Sequence, residues 1–187
     1  WCNEDGKLLD DGTAFRISEQ EYLLCPGDRH PEHFPEVAQG MNVQVDEVTG
    51  EIASLTVQGR TSLSTLHKIG IKDLEQLPPY SFADYESPAG VIRISRTGFF
   101  GDLGYELWVN KALALRLWDE VYTAGEDFGI QPYGETATNM ARMEAGFIMP
   151  YVDFTEALKT VCFEHDQYRL LNFNDHTFLP PSLATLG

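Results

Sequence analysis

Glu106 and Trp108 stand two residues apart in the stretch Ser95-Arg96-Thr97-Gly98-Phe99-Phe100-Gly101-Asp102-Leu103-Gly104-Tyr105-Glu106-Leu107-Trp108-Val109. Residues two apart on a strand share a face, so a carboxylate here lies beside an indole. Such a pair can hold a flat, nitrogen-rich ring, the Trp as an apolar wall and the Glu accepting paired N–H bonds. Gly98, Gly101 and Gly104 punctuate the turn ahead of the strand and supply a flexible rim. The plainer reading of Glu106 is a solvent-facing residue on a hairpin. Asp10 and Asp11 form a second acidic site just ahead of a strand. Adjacent strand residues point to opposite faces, so at most one of the two enters a given pocket. A carboxylate there can stabilise positive charge or take a proton, or simply satisfy the N–H groups of a turn.

Other reactive side chains read as structural. Arg142 sits near a predicted helix C-terminus, where its charge suits the helix dipole, and Glu144 lies on the same helix end. Cys162 and His165 are three apart with His176 further on, and His30 and His33 share that spacing. Neither set supplies four convincing ligands, so no metal site is expected and the histidines are assigned to the surface. No Walker loop or dinucleotide-type glycine fingerprint occurs, which argues against a bound FAD or NAD on this chain.

The elements that must position these residues are mixed. Strands are expected over 13–18, 21–25, 41–48, 51–58 and 90–94, and again from Tyr105 onward. A helix over 31–40 is weakened by Pro35 inside it. Thr61 or Ser62 can cap a short helix with Leu63, Leu66 and Ile69 on one face and Gly70 as its stop. Leu115, Trp118, Val121 and Tyr122 predict a helix over 112–126, and a further helix over 135–145 ends at Gly146. Strand runs interleaved with helices predict an α+β layered fold.

The chain has 187 residues, 43% of them hydrophobic, enough for one substantial core or two small lobes. Its formal net charge of −16 is the wrong sign for a groove that tracks nucleic-acid phosphates. No apolar run has the length of a membrane span and no signal-peptide pattern opens the chain. Its first residue is Trp1, which suggests a processed or truncated product. Three scattered cysteines, Cys2, Cys25 and Cys162, do not make a disulfide framework, and a reducing cytoplasm is the expected setting.

Five segments in order resemble the folate-binding T-protein superfamily. It includes the aminomethyltransferase of the glycine cleavage system, folate-dependent demethylases and the folate domains of sarcosine and dimethylglycine dehydrogenases. The first segment runs from Cys2 through Asp10-Asp11-Gly12-Thr13-Ala14-Phe15-Arg16 to Glu21-Tyr22-Leu23-Leu24-Cys25. Ala53-Ser54-Leu55-Thr56-Val57-Gln58-Gly59-Arg60 is similar to a family strand ending in Gln-Gly-Pro. The Ser95–Val109 stretch, Leu117-Trp118-Asp119-Glu120-Val121 and Ala141-Arg142-Met143-Glu144-Ala145-Gly146-Phe147 complete the set, which spans about residues 2–154.

The resemblance implies mixed β-sheets flanked by helices in two interleaved lobes that meet near Val48 and face a central folate cavity. Residues 1–48 belong to one lobe and 49–150 to the second; 151–187 form an irregular tail or a remnant of the link to a terminal barrel domain. It further implies tetrahydrofolate as cofactor and transfer of a methyl or aminomethyl unit to its N5 from a small amine, ether or thioether donor. Asp11 is then the catalytic carboxylate near the reacting carbon. Glu106 grips the pterin, and Phe99, Trp108 and Tyr105 complete the cofactor-binding set. If the donor is a lipoyl-bound aminomethyl group, the partner is the lipoyl carrier H-protein. The alternatives are a folate-binding module without catalysis, akin to iron–sulfur assembly factors, and the folate domain of a flavin-dependent demethylating dehydrogenase. The Lys-Gly-Cys motif of the assembly factors does not occur in this sequence. The sequence also departs from the family: an arginine of the pterin site falls at Thr138, Gln-Gly-Pro has become Gln58-Gly59-Arg60, and an asparagine after the second strand falls at Cys25.

Overall fold

The computed structural model describes residues 1–27, 29–88, 90–149 and 153. Two units emerge, one from Trp1–Asn42 with the described residues after Phe147, the other from Val43–Phe147.

In the first unit, β1 (Gly12–Arg16) and β2 (Tyr22–Pro26) pair antiparallel, with Phe15 opposite Leu23 and Thr13 opposite Cys25. Phe15 supplies the buried side of this hairpin. Helix α1 is confined to His33–Val37. Pro35 falls in its first turn, where a missing N–H costs nothing because that N–H has no partner within the helix.

The second unit is built on a four-stranded antiparallel sheet. Its strands are β3 (Ile52–Gln58), β4 (Phe82–Ser87), β5 (Gly90–Ser95) and β6 (Gly104–Asn110), in the order β3-β6-β5-β4. Alternation sends Tyr105, Leu107 and Val109 of β6 and Ile92 and Ile94 of β5 to one face. There they meet α2 (Ser62–Lys68) and α3 (Ala114–Gly125), whose Leu66, Leu117 and Val121 complete the core. Removing a side chain such as Leu107 wholly from water contributes about 1.5–3 kcal/mol. Helix α4 (Glu135–Ala145) ends where the sequence predicts, at Gly146, whose left-handed φ of 82° suits only glycine without strain.

Two of the expected elements are corrected here and one strand is added. No strand forms over 41–48; Met41, Val43 and Val45 alternate in sequence but lie exposed, with no strand among the described residues to pair with. Thr61 occupies the N-cap of α2 without lending its hydroxyl. Strand β4 carries no strong local pattern in Phe82-Ala83-Asp84-Tyr85-Glu86-Ser87 and forms by pairing with β5. The tail, with Cys162, His165 and His176, lies outside the described residues apart from Asp153. Two antiparallel sheets with packed helices make this an α+β fold. No helix among the described residues is long and apolar enough to cross a membrane.

Candidate functional site

The sheet face turned away from the core in the second unit is polar and aromatic. Register places Ser95 and Thr56 on either side of Glu106, and Arg93 and Ser54 on either side of Trp108. Directly opposed residues share a face, so five polar side chains and one indole form a continuous band.

A chain of hydrogen bonds runs through that band. Trp108 Nε1 donates to Ser95 Oγ at 3.2 Å, and Ser95 Oγ lies 2.7 Å from Thr97 Oγ1. Thr97 Oγ1 donates to Glu106 Oε2 at 2.5 Å, with Ser95 Oγ 3.5 Å from the same oxygen. Glu106 Oε1 receives no hydrogen bond from any described residue. The carboxylate is therefore oriented through one oxygen and open at the other. No ion pair among the described residues reaches it. The nearest arginine by register, Arg93, grips Asp84 through Nε and a terminal nitrogen at 2.8 and 2.9 Å and lies over the Phe82 ring. The Thr138 hydroxyl donates back to the Gly134 carbonyl.

Glycines ahead of β6 have a steric purpose. A Cβ on Gly104 would stand 1.8 Å from Gln58 Oε1, and one on Gly98 2.6 Å from the same atom. The glutamine amide thus lies against backbone that only glycine leaves open, and its Nε2 donates to Thr56 Oγ1 at 2.6 Å. Tyr133 approaches from beyond α3. Burial pushes its phenol above the usual range, a hydrogen bond with Thr56 draws it back, and the Glu106 charge raises it. Its ring meets Phe100 edge-on at 4.9 Å.

The structure thus brings Glu106 and Trp108 together through Ser95 and Thr97. Phe99 stacks on Phe147 at 5.2 Å, an aromatic pair on the β5–β6 loop side. Tyr105 departs from its expected place: it is 1% exposed and points into the core, on the strand face opposite Glu106.

Asp11 belongs to the first unit. Asp10 is the buried member of the acidic pair, at 0% exposure, while Asp11 is exposed. Asp10 Oδ1 accepts the Asp11 N–H at 2.7 Å and Oδ2 lies 2.7 Å from His30 Nε2. Asp10 thus shapes the turn that presents Asp11. Burial, then the Asp10 charge, raises the Asp11 carboxyl above its ordinary value, against a lowering backbone hydrogen bond. His30 is no surface histidine; its side chain is 6% exposed and sits among the rings of Trp1, His33 and Phe34. No group of three metal-ligating side chains occurs among the described residues. Arg142 is buried, binding Asn139 Oδ1 at 2.9 Å and the Phe147 carbonyl at 3.0 Å, which ties down the end of α4.

Sequence alone does not single out Ser95, Thr97 or Tyr133. The Ser-x-Thr spacing ahead of the glycine turn was the available signal for the first two; Tyr133 had none, because only the fold carries it to Thr56.

Residues 1–164 match the GCVT N-terminal domain family. The chain belongs to this family. The GCVT assignment agrees with relatives of like sequence. An aminomethyltransferase of Caldanaerobacter subterraneus subsp. tengcongensis is 33% identical over 150 residues, covering 78% of this chain and 40% of the relative. That of Geobacillus thermodenitrificans is 34% identical over 149 residues, covering 77% and 40%. That of Bacteroides fragilis is 32% identical over 152 residues, covering 79% and 42%. The GCVT chain described here therefore spans about two fifths of the length of the relatives it matches.

Proposed function

We propose that this chain is the folate-binding part of an aminomethyltransferase-type enzyme, moving a one-carbon unit from a small amine, ether or thioether donor to tetrahydrofolate. The observation that carries the reading is Glu106: Thr97 fixes Oε2, and Oε1 faces no described donor. A carboxylate has acceptor capacity for several hydrogen bonds, so Oε2 can still share in a paired contact. That donor-poor, aromatic-flanked carboxylate fits the N–H edge of a pterin ring. The family membership and the aminomethyltransferase relatives support the same class.

Bound tetrahydrofolate would supply the N5 amine that receives the one-carbon unit. Glu106 orients the ring by accepting its N–H groups, while Trp108 lends an apolar wall whose own N–H is already committed to Ser95. Phe99, braced by Phe147, offers a second aromatic surface. Tyr105 holds β6 in place from the core. Asp11, proposed as the catalytic carboxylate, stabilises cationic character at the reacting carbon or accepts a proton, and its raised pKa suits the latter task. An H-protein carrying a lipoyl-bound aminomethyl group is the proposed partner when that group is the donor.

Calorimetric titration of tetrahydrofolate into the full chain, under reducing and oxygen-free conditions, tests the reading. Glu106→Ala should weaken binding by about tenfold or more, on the order of 1.4 kcal/mol. Absence of heat from a demonstrably folded parent would sink folate binding by this chain alone. Binding without transfer from any amine donor would support the module without catalysis.

A further inference from the structure

Strand β3 is the free edge of its sheet, and it lines a cavity of about 390 Å³. The phase of its ladder can be read from the bonds that flank it. Gly59 N–H donates to the Leu103 carbonyl at 2.7 Å, and Lys111 N–H to the Glu51 carbonyl at 2.8 Å. In an antiparallel pair, hydrogen-bonded positions alternate with non-bonded ones. The odd-numbered residues of β3 therefore bond to β6, and the N–H and C=O groups of Ser54, Thr56 and Gln58 point to the open edge. No backbone group of the described residues pairs with them there. All three residues line the cavity.

The rest of the lining has a consistent character. Val57, Val121 and Ile130 make an apolar wall, and Trp118 and Tyr122 lie parallel, with centroids 6.4 Å apart and planes at 6°. No charged side chain lines the cavity among the described residues, in a chain that carries 29 acidic and 13 basic ones. The Ser62 hydroxyl, on a residue 2% exposed, lines it too and has no hydrogen-bond partner among the described residues. A buried hydroxyl without a partner is costly, and a ligand that satisfies it recovers that cost.

We propose that this cavity is a binding site for a small, uncharged aromatic molecule bearing an amide or lactam edge. Such an edge presents an N–H beside a C=O, the complement of an open strand edge. The aromatic body lies against Trp118 and Tyr122, and a polar substituent reaches Ser62. The volume falls in the range of small-ligand pockets, roughly 300–1,000 Å³. Residues 129–133 line the same cavity, so added β-strand pairing by a polypeptide is the poorer match. An ionised ligand would lose its hydration to walls that hold no countercharge. Ser54 and Thr56 also border the Glu106 band, but Ser62, Trp118 and Tyr122 do not, so the site does not rest on the folate reading.

The test is amide-resolved NMR on the full chain, with 2-quinolone as the probe and coumarin as its control. The two share a shape, and the lactone oxygen of coumarin replaces the lactam N–H. Quinolone should shift the amides of Ser54, Thr56 and Gln58 more than those of Leu55 and Val57, and bind at least tenfold more tightly than coumarin. Ser62→Ala, which removes no existing hydrogen bond among the described residues, should keep the thermal midpoint and weaken 6-hydroxy-2-quinolone about fivefold while leaving 2-quinolone itself unchanged. Equal affinity for the two probes, shifts confined to the Glu106 and Trp108 face, or no shifts at saturating quinolone would each overturn the assignment. Tetrahydrofolate binding is read by its loss in Glu106→Ala and 6-hydroxy-2-quinolone binding by its loss in Ser62→Ala, so failure of one proposal is distinguishable from failure of the other.

Discussion

Thr97 and Glu106 are joined by a 2.5 Å hydrogen bond that crosses from the end of β5 to the middle of β6. Ser95 extends the connection to the Trp108 indole at 3.2 Å. The acid and the aromatic ring of the candidate site are thus oriented by two hydroxyls, each of which touches the other at 2.7 Å. Hydroxyls can serve in this way because each both donates and accepts.

Thr97→Val keeps the shape and deletes the donor. A hydrogen bond to a charged group is worth about 1.5–3 kcal/mol, part of which reappears as solvent contact. Tetrahydrofolate binding should weaken by about five- to tenfold, with Thr97→Ser restoring most of it. Calorimetry on the three proteins decides; equal affinities for valine and serine variants would show that Thr97 does not position Glu106.

The Asp11 carboxyl titrates above its ordinary value in the folded chain. A folded pKa above the unfolded one means that the folded state holds the proton more tightly, so this contribution favours folding at acid pH and is lost as pH rises through the folded value. Asp11→Asn removes the ionisation. Urea midpoints should show little difference between variant and parent below about pH 4 and a growing advantage for the variant toward neutrality. A difference that stays flat, or that grows in the parent's favour, would contradict the shift.

Gly104 and Gln58 make a pair suited to a double-mutant cycle. Gly104→Ala drives a methyl into the Gln58 amide and should displace it from Thr56, at a cost of about 1–3 kcal/mol. In a Gln58→Ala background the same substitution should cost much less. Additive losses in chemical denaturation would mean that the glycine is required for its backbone alone.

Asp10 and His30 bury a polar contact that the chain must complete. His30→Ala removes one partner of the wholly buried Asp10 carboxylate, and the expected loss is about 1.5–3 kcal/mol. His30→Gln, which retains a donor, should recover part of it. The Asp11 turn should loosen in the alanine variant, seen as faster exchange of the Asp11 amide hydrogen, which Asp10 Oδ1 accepts at 2.7 Å. Unchanged stability and exchange would remove His30 from the support of Asp11.

The sequence by itself determined which segments are strands and helices wherever an apolar face is written into the period. The alternation of Tyr105, Leu107 and Val109 defined β6 and set Glu106 beside Trp108, and Gly146 marked the end of α4. These are local consequences of backbone geometry, so neighbouring residues suffice to reveal them. The same alternation forms no strand at 41–48, because a strand needs a partner and none of the described strands lies beside it. Tertiary structure alone decided that β4 joins the sheet and that Asp10 is buried while Asp11 is presented. It also decided that Thr97 orients Glu106 and that Tyr133 reaches Thr56, contacts made across strands and loops. Such contacts depend on chain segments brought together by core burial, whose energy is spread over many residues and leaves no mark at the positions that finally touch.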